Sequence, residues 1–289
     1  MIAGVSAYGL WGLLPIYFRF LHHVDPVEVV AQRVIWSLLL IVAILAVRRG
    51  LGGLGAVLGD RRIMLALTCS AALIGINWLT YVWAIHAGHV VGASLGYFLN
   101  PLVNVLLGVM VLKEKLRRGQ VAAIGAAAVG VALMASAALD TLWVSIVLAL
   151  SFALYGLVRK LTPVDAFAGL GAETLLLVAP AVGWCLWLWT GGHMAFGGDP
   201  ATTMLLVLSG AVTTVPLVLF AVAARRLPLA SLGLLQYMAP TMQFLCGILL
   251  FGETLNRGQI IAFALIWIGL AFFAADSFMT ARRMRAAPA

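Results

Sequence analysis

Ten apolar runs, each about twenty residues long, divide this chain, at residues 2–20, 27–47, 63–85, 93–112, 120–139, 142–158, 167–189, 204–224, 232–251 and 259–278. Lipid offers the backbone no hydrogen-bond partner, and each run is about twice as long as a barrel strand needs, so the runs are expected as helices. The fold class that follows is an all-α polytopic membrane protein with ten transmembrane helices. Of the 289 residues, 64% are hydrophobic and 10% charged, against about 45–50% and 25% in a soluble domain; a soluble enzyme is excluded. The first run begins at Ile2 with no basic segment before it and reads as a first span, not a cleaved signal peptide.

The net charge of +8 does not point to nucleic acid, because the basic residues lie in short pieces between apolar runs instead of on one face. Fifteen of the eighteen Lys and Arg fall on the side shared by both termini, only Arg19 and Arg257 on the other, and Arg33 lies within the second run. The positive-inside bias therefore expects both termini in the cytoplasm of a bacterial inner membrane, with residues 279–289 as a basic cytoplasmic tail. Cys69, Cys185 and Cys246 sit far apart in apolar runs without metal-ligand spacing and read as packing residues.

An internal repeat is the next constraint. A shift of 139 residues superposes Pro101 on Pro240, Gly108 on Gly247, Glu114 on Glu253, Leu116 on Leu255, Arg118 on Arg257, Gly119 on Gly258, Gln120 on Gln259 and Gly130 on Gly269. A weaker echo at 144 pairs Leu10-Trp-Gly-Leu13 with Leu154-Tyr-Gly-Leu157. The expected division is thus a first five-helix repeat at 1–139 and a second at 140–278. Five is odd, so the second half enters from the opposite side and the repeat is inverted. The charges agree: the turn at 113–118 carries four basic residues, and its counterpart at 252–257 keeps the Glu with one Arg.

Inverted repeats let two halves rock about a midplane site, which makes a secondary transporter the leading functional reading. Such a site needs polar groups where they are costly. In the fourth run Tyr97, Asn100 and Asn104 share one helical face, broken by Pro101; in the ninth, Gln236 and Gln243 lie one heptad apart and flank Pro240. The 139 shift lays Tyr97 on Gln236 and Asn104 on Gln243. Asn77, with Tyr81 and Trp78 nearby, adds a third contributor. These six, Asn77, Tyr97, Asn100, Asn104, Gln236 and Gln243, are the expected solute contacts, and the two prolines are the expected helix kinks. Amides also serve as interhelical glue, and that use stands beside the binding one.

Two carboxyls lie within runs, Glu28 near the start of the second and Glu173 deeper in the seventh. Burial disfavours the charged form of a carboxyl, so both are candidates for proton coupling, with Gln32 one turn from Glu28 and Arg33 the one basic group in a span. A paired structural acid is the alternative. Gly88, Gly92 and Gly96 form a small-residue ridge suited to close helix approach.

Enzyme-like patterns are weak. Gly92-Ala-Ser-Leu-Gly96 matches a nucleophile elbow in letters only, at the start of a membrane helix. The histidines at 22, 23, 86 and 89 lack nearby acids or thiolates, and no cofactor or metal is read from the chain. A membrane enzyme acting on lipid or peptide would need a nucleophile–base pair, and a structural or signalling subunit would have no use for a duplicated polar face.

Ala93-Ser-Leu-Gly-Tyr-Phe-Leu-Asn-Pro-Leu-Val-Asn104, Asn77-Trp78, Arg33-Val-Ile-Trp-Ser37, Tyr155-Gly-Leu-Val-Arg-Lys160, Val212-Thr-Thr-Val-Pro216 and Gln236-Tyr237 with Ala239-Pro240 together resemble the EamA group of the drug/metabolite transporter superfamily over nearly the whole chain. The resemblance implies a ten-helix inner-membrane permease of two EamA repeats that exports a small metabolite or drug. The family pattern carries His where this chain has Gln32, so no histidine proton step is expected there. The expected partners are a small organic solute, the lipid bilayer and a coupling proton, with no nucleic acid.

Reporter fusions at Gly52 and after Arg285 should report cytoplasm, and a fusion at Gly192 the periplasm. An external Gly52 with an internal Gly192 would reverse the orientation argued from charge.

Overall fold

The computed structural model describes residues 2–111, 113, 121, 125, 129, 139–226, 235–254, 257–258, 260–261, 263–265, 267–269, 271–272 and 275. The helices are α1 (Ile2–Gly12), α2 (Leu14–Phe20), α3 (Pro26–Val47), α4 (Leu51–Gly59), α5 (Arg61–His86), α6 (Val90–Met110), α7 (Leu139–Leu161), α8 (Ala166–Thr190), α9 (Pro200–Arg226) and α10 (Met238–Leu249). No strand occurs among the described residues. Five of these helices are long and apolar enough to cross a membrane, at Pro26–Val47, Arg61–His86, Asp140–Leu161, Phe167–Thr190 and Pro200–Phe220. Most of the expected fifth span, part of the tenth, and the tail at 279–289 lie outside the described residues.

Carboxylates set several helix starts. Asp25 Oδ1 accepts Val27 N–H and Glu28 N–H at 3.0 Å each, Asp60 accepts Arg62 N–H and Ile63 N–H, and Asp165 accepts Phe167 N–H and Ala168 N–H. Each satisfies donors that a first turn leaves free. Asp199 does the same for α9 through Thr202 N–H at 2.8 Å, a bond that holds its exposed carboxyl below the usual carboxylate range.

The first apolar run is two helices. Pro15 has no N–H to give to Trp11, and the chain breaks at Leu13 before restarting with Pro15 in the first turn of α2. Pro240 behaves likewise. It stands in the first turn of α10, behind a turn at Tyr237 that separates α10 from helical residues 235–236. α6 is continuous through Pro101 and begins at Val90, three residues before the apolar run was expected to start. The reason is a capping group from far along the chain: Glu253 Oε1 and Oε2 accept Val90 N–H at 2.7 Å and Val91 N–H at 2.9 Å. Burial pushes this loop carboxyl up, against the pull of those two donors.

Helices early and late in the chain interleave. α3 packs on α8 and α9, α5 on α7 and α8, α6 on α7 and α10, and α1 on α9 and α10. The small-residue ridge serves the α6–α7 contact. A Cβ on Gly92 would lie 3.2 Å from Thr141 Cβ, and one on Gly96 2.8 Å from Leu148 Cβ and 2.9 Å from Ser145 O. Gly88 is not part of that ridge; it turns the chain between α5 and α6 at φ +76°, a conformation that favours glycine.

Gly96→Ala should therefore overpack the α6–α7 seam and cost about 1–3 kcal/mol, read as a lower unfolding temperature in detergent. Gly183→Ala, where a Cβ meets nothing within 4 Å, should leave stability unchanged or raise it slightly. Equal behaviour of the two variants would contradict the close approach.

Candidate functional site

Two of the predicted amides hold helices together. Asn77 Nδ2 on α5 donates to Leu148 O and Ser151 Oγ on α7, both at 3.0 Å, and its Oδ1 accepts Tyr97 Oη–H from α6 at 3.1 Å. Gln243 Nε2 on α10 donates to Trp11 O at 3.0 Å. That carbonyl is the one Pro15 leaves without its helical donor, so Gln243 supplies what the broken first span lacks. Cys246 Sγ approaches the next carbonyl, Gly12 O, at 4.0 Å.

These bonds do not use up the polar groups. Gln243 Oε1, Asn100 Oδ1, Tyr81 Oη and Thr214 Oγ1 are closed off from solvent without a hydrogen-bond partner among the described residues. Each belongs to a different helix, α10, α6, α5 and α9. In a protein interior nearly every buried polar atom is paired, and lipid makes an orphan costlier still. Gln236 is half-buried just before the break at Tyr237. Asn104 lies on α6, and its side chain, like that of Pro101, is outside the described residues.

Arg33 is the residue whose importance the sequence reading missed. It had entered only as a partner for a buried acid. On α3 it is buried, its Nε donates to Thr213 Oγ1 on α9 at 2.5 Å, and its Cζ stands 4.4 Å over the Trp78 ring and 5.7 Å from Phe18. The phenols of Tyr97, Tyr81 and Tyr17 are the titratable groups that face it. Tyr81 stacks edgewise on Phe18 with ring centroids 6.0 Å apart and lies 5.6 Å from Tyr97, while the Tyr17 hydroxyl donates to Leu205 O. Arg33 thus sits in an aromatic box built from α2, α5 and α6. The signal in the sequence was a lone cation in an apolar run, with Trp78 and Tyr81 three residues apart on the facing helix.

The two carboxyls have different surroundings. Glu28 reaches the loop after α8, where its oxygens accept Ala195 N–H at 3.0 Å and Phe196 N–H at 2.9 Å. Gln32 does not bond it; Gln32 accepts from Trp36 Nε1 at 3.0 Å and points its amide at Cys185. Glu173 on α8 is buried, accepts Ser70 Oγ–H at 2.5 Å and Tyr155 Oη–H at 3.4 Å, and stands 3.7 Å from Arg159 Nε. Its basic partner comes from the end of α7, not from Arg33 as the sequence had offered. No cluster of metal-ligating side chains occurs among the described residues.

Residues 1–136 match the model of the EamA-like transporter family. The chain is 44% identical to an uncharacterized transporter of Pseudomonas aeruginosa over 98% of its own length and 95% of the relative's. It is 42% identical to Protein RarD of Streptomyces exfoliatus, covering 99% of this chain and 91% of that one. It is 30% identical to the Chloramphenicol-sensitive protein RarD of Pseudomonas aeruginosa, covering 98% and 96%. A solved crystal structure, 18% identical, superposes with a TM-score of 0.67 over 96% of this chain and 97% of that chain, a likeness of fold alone.

Proposed function

The chain belongs to the EamA-like transporter family and is a multi-pass membrane transporter, and we propose that it exports a small organic solute, a metabolite or drug, across the bacterial inner membrane. In this reading it is a secondary transporter working by alternating access between two inverted five-helix halves, with both termini in the cytoplasm. The observation that carries it is the set of buried, unpartnered polar atoms on α5, α6, α9 and α10, helices from both halves, in a medium where only a passing solute or water relieves them.

Support for the inverted halves comes from the pattern of packing. Exchange the halves, so that α1 trades with α7, α3 with α8, α5 with α9 and α6 with α10. The contact of α1 with α9 then becomes that of α7 with α5, α6 with α7 becomes α10 with α1, and α3 with α9 becomes α8 with α5. The contacts of α3 with α8 and α6 with α10 map on themselves, and every one of these pairs is packed. A polar pair follows the same exchange. Arg33 bonds Thr213 and Glu173 bonds Ser70; Arg33 and Glu173 are 140 residues apart, and Ser70 and Thr213 are 143, both within the span of the repeat offsets.

Asn104→Leu and Gln243→Leu should insert and fold, because an interhelical hydrogen bond in a membrane is worth only about 0.6–2 kcal/mol. Both should lose most flux in reconstituted vesicles assayed across a metabolite panel, while Val103→Leu does little. Normal transport by both variants, or loss of both from the membrane, would return these amides to a structural role.

Proton coupling is assigned to Glu173, whose hydroxyl neighbours Ser70 and Tyr155 can bond either protonation form of the carboxyl and whose neighbour Arg159 is a counter-charge. Both Glu28 oxygens instead accept backbone N–H groups. Glu173→Gln should flatten the pH dependence of flux at unchanged protein level. A pH profile matching the parent's would remove Glu173 from the coupling step.

A further inference from the structure

We infer that Arg33, with the Tyr81 hydroxyl beside it, binds the anionic group of the solute, and that the solute is therefore a small organic monocarboxylate. The inference names the substrate class for the transporter proposed above, but the binding it asserts can be tested without transport.

A guanidinium has five N–H donors. Among the described residues only its Nε–H meets an acceptor, Thr213 Oγ1. The terminal nitrogens donate to no described residue. The Tyr81 hydroxyl, next in the same aromatic box, is a further donor with no acceptor.

Charge makes the same point. The chain has ten carboxylates. Asp25, Asp60, Asp165 and Asp199 cap helices, Glu28 and Glu253 hold backbone amides, Glu173 faces Arg159, and Asp140 lies exposed in the first turn of α7. None of these forms an ion pair with Arg33. Glu114 and Asp276 lie outside the described residues.

Glu173 provides the internal comparison. Arg33 is the eighth residue of α3 and Glu173 the eighth of α8, each bonded to a hydroxyl on a neighbouring helix. The negative member has a protein counter-ion at 3.7 Å; the positive member has only ring faces, which attract a cation weakly. A buried charge without a partner is strongly unfavourable, and an oxyanion bound by the guanidinium fork would relieve it. One uncompensated positive charge matches one negative charge. A phosphate monoester, with a charge of about −1.5 to −2, would leave the site negative. The rings of Trp78, Phe18 and Tyr97 then suit an apolar or aromatic body attached to the carboxylate.

The test uses the purified full chain in detergent, with thermal unfolding as the readout, and a panel of monocarboxylates from valerate to phenylpropionate, each paired with its primary amide. Acids should raise the unfolding temperature and amides should not. Arg33→Gln should weaken acid binding by about 10- to 100-fold and Arg33→Lys by less, since charged hydrogen bonds are the stronger class. Tyr81→Phe, which keeps the ring packing and guards against a misfolded Arg33 variant, should weaken it by about three- to tenfold. Acids and amides acting alike on the parent chain, or an acid preference that survives in both Arg33→Gln and Tyr81→Phe, would overturn the inference. Acid binding with no flux of any panel member in vesicles would instead count against the transporter reading and leave the carboxylate site standing.

Discussion

Lipid supplies no hydrogen bonds, and most of this structure can be traced to how the chain answers that fact. Every backbone N–H and C=O in the bilayer must find a partner within the protein, so the described residues are helices and their connections. Where a helix breaks, a side chain from elsewhere steps in. Pro15 leaves Trp11 O without its donor, and Gln243, more than two hundred residues later, provides one at 3.0 Å.

Carboxylates do the corresponding work at helix ends. Asp25, Asp60, Asp165 and Asp199 each satisfy the first turn of the helix that follows them, where the helix dipole also favours a negative charge. Glu253 does it at long range for α6, and Glu28 ties α3 to backbone amides of the loop after α8. Among the described residues Arg33 meets a hydroxyl and aromatic faces. The positive charge and the orphaned Tyr81, Gln243 and Asn100 atoms therefore lie on helices that pack around one another, and that concentration gives the proposed solute site its chemistry.

Much of this was legible in the chain. The apolar runs located α3, α5, α7, α8 and α9 to within a few residues, because a membrane span is set by length and hydrophobicity alone. The ridge of Gly92 and Gly96 announced a close helix contact. Less legible were the ends and breaks. α6 starts at Val90, where Glu253 caps it, and a turn at Tyr237 precedes α10. The short helix α4 gave no apolar-span signal, and the first run concealed the break at Leu13. In each case the cause is a partner distant in sequence or a local backbone choice that hydropathy does not record.

By itself the sequence determined that the chain is an all-helical membrane protein, roughly where its spans lie, and that polar residues and prolines recur at an offset of 139. These are properties of composition, period and offset, and they need no knowledge of neighbours. Only the tertiary structure decided which polar groups find partners. It put Asn77 between α6 and α7, gave Glu173 to Arg159, turned Glu28 to a loop, and left Arg33 among rings with none of the described acids paired to it. Pairing is a relation between helices, and the strength of a buried charge depends on what lies within a few ångströms of it. A linear pattern can mark a residue as expensive to bury; it takes the packed structure to say whether that cost has been met.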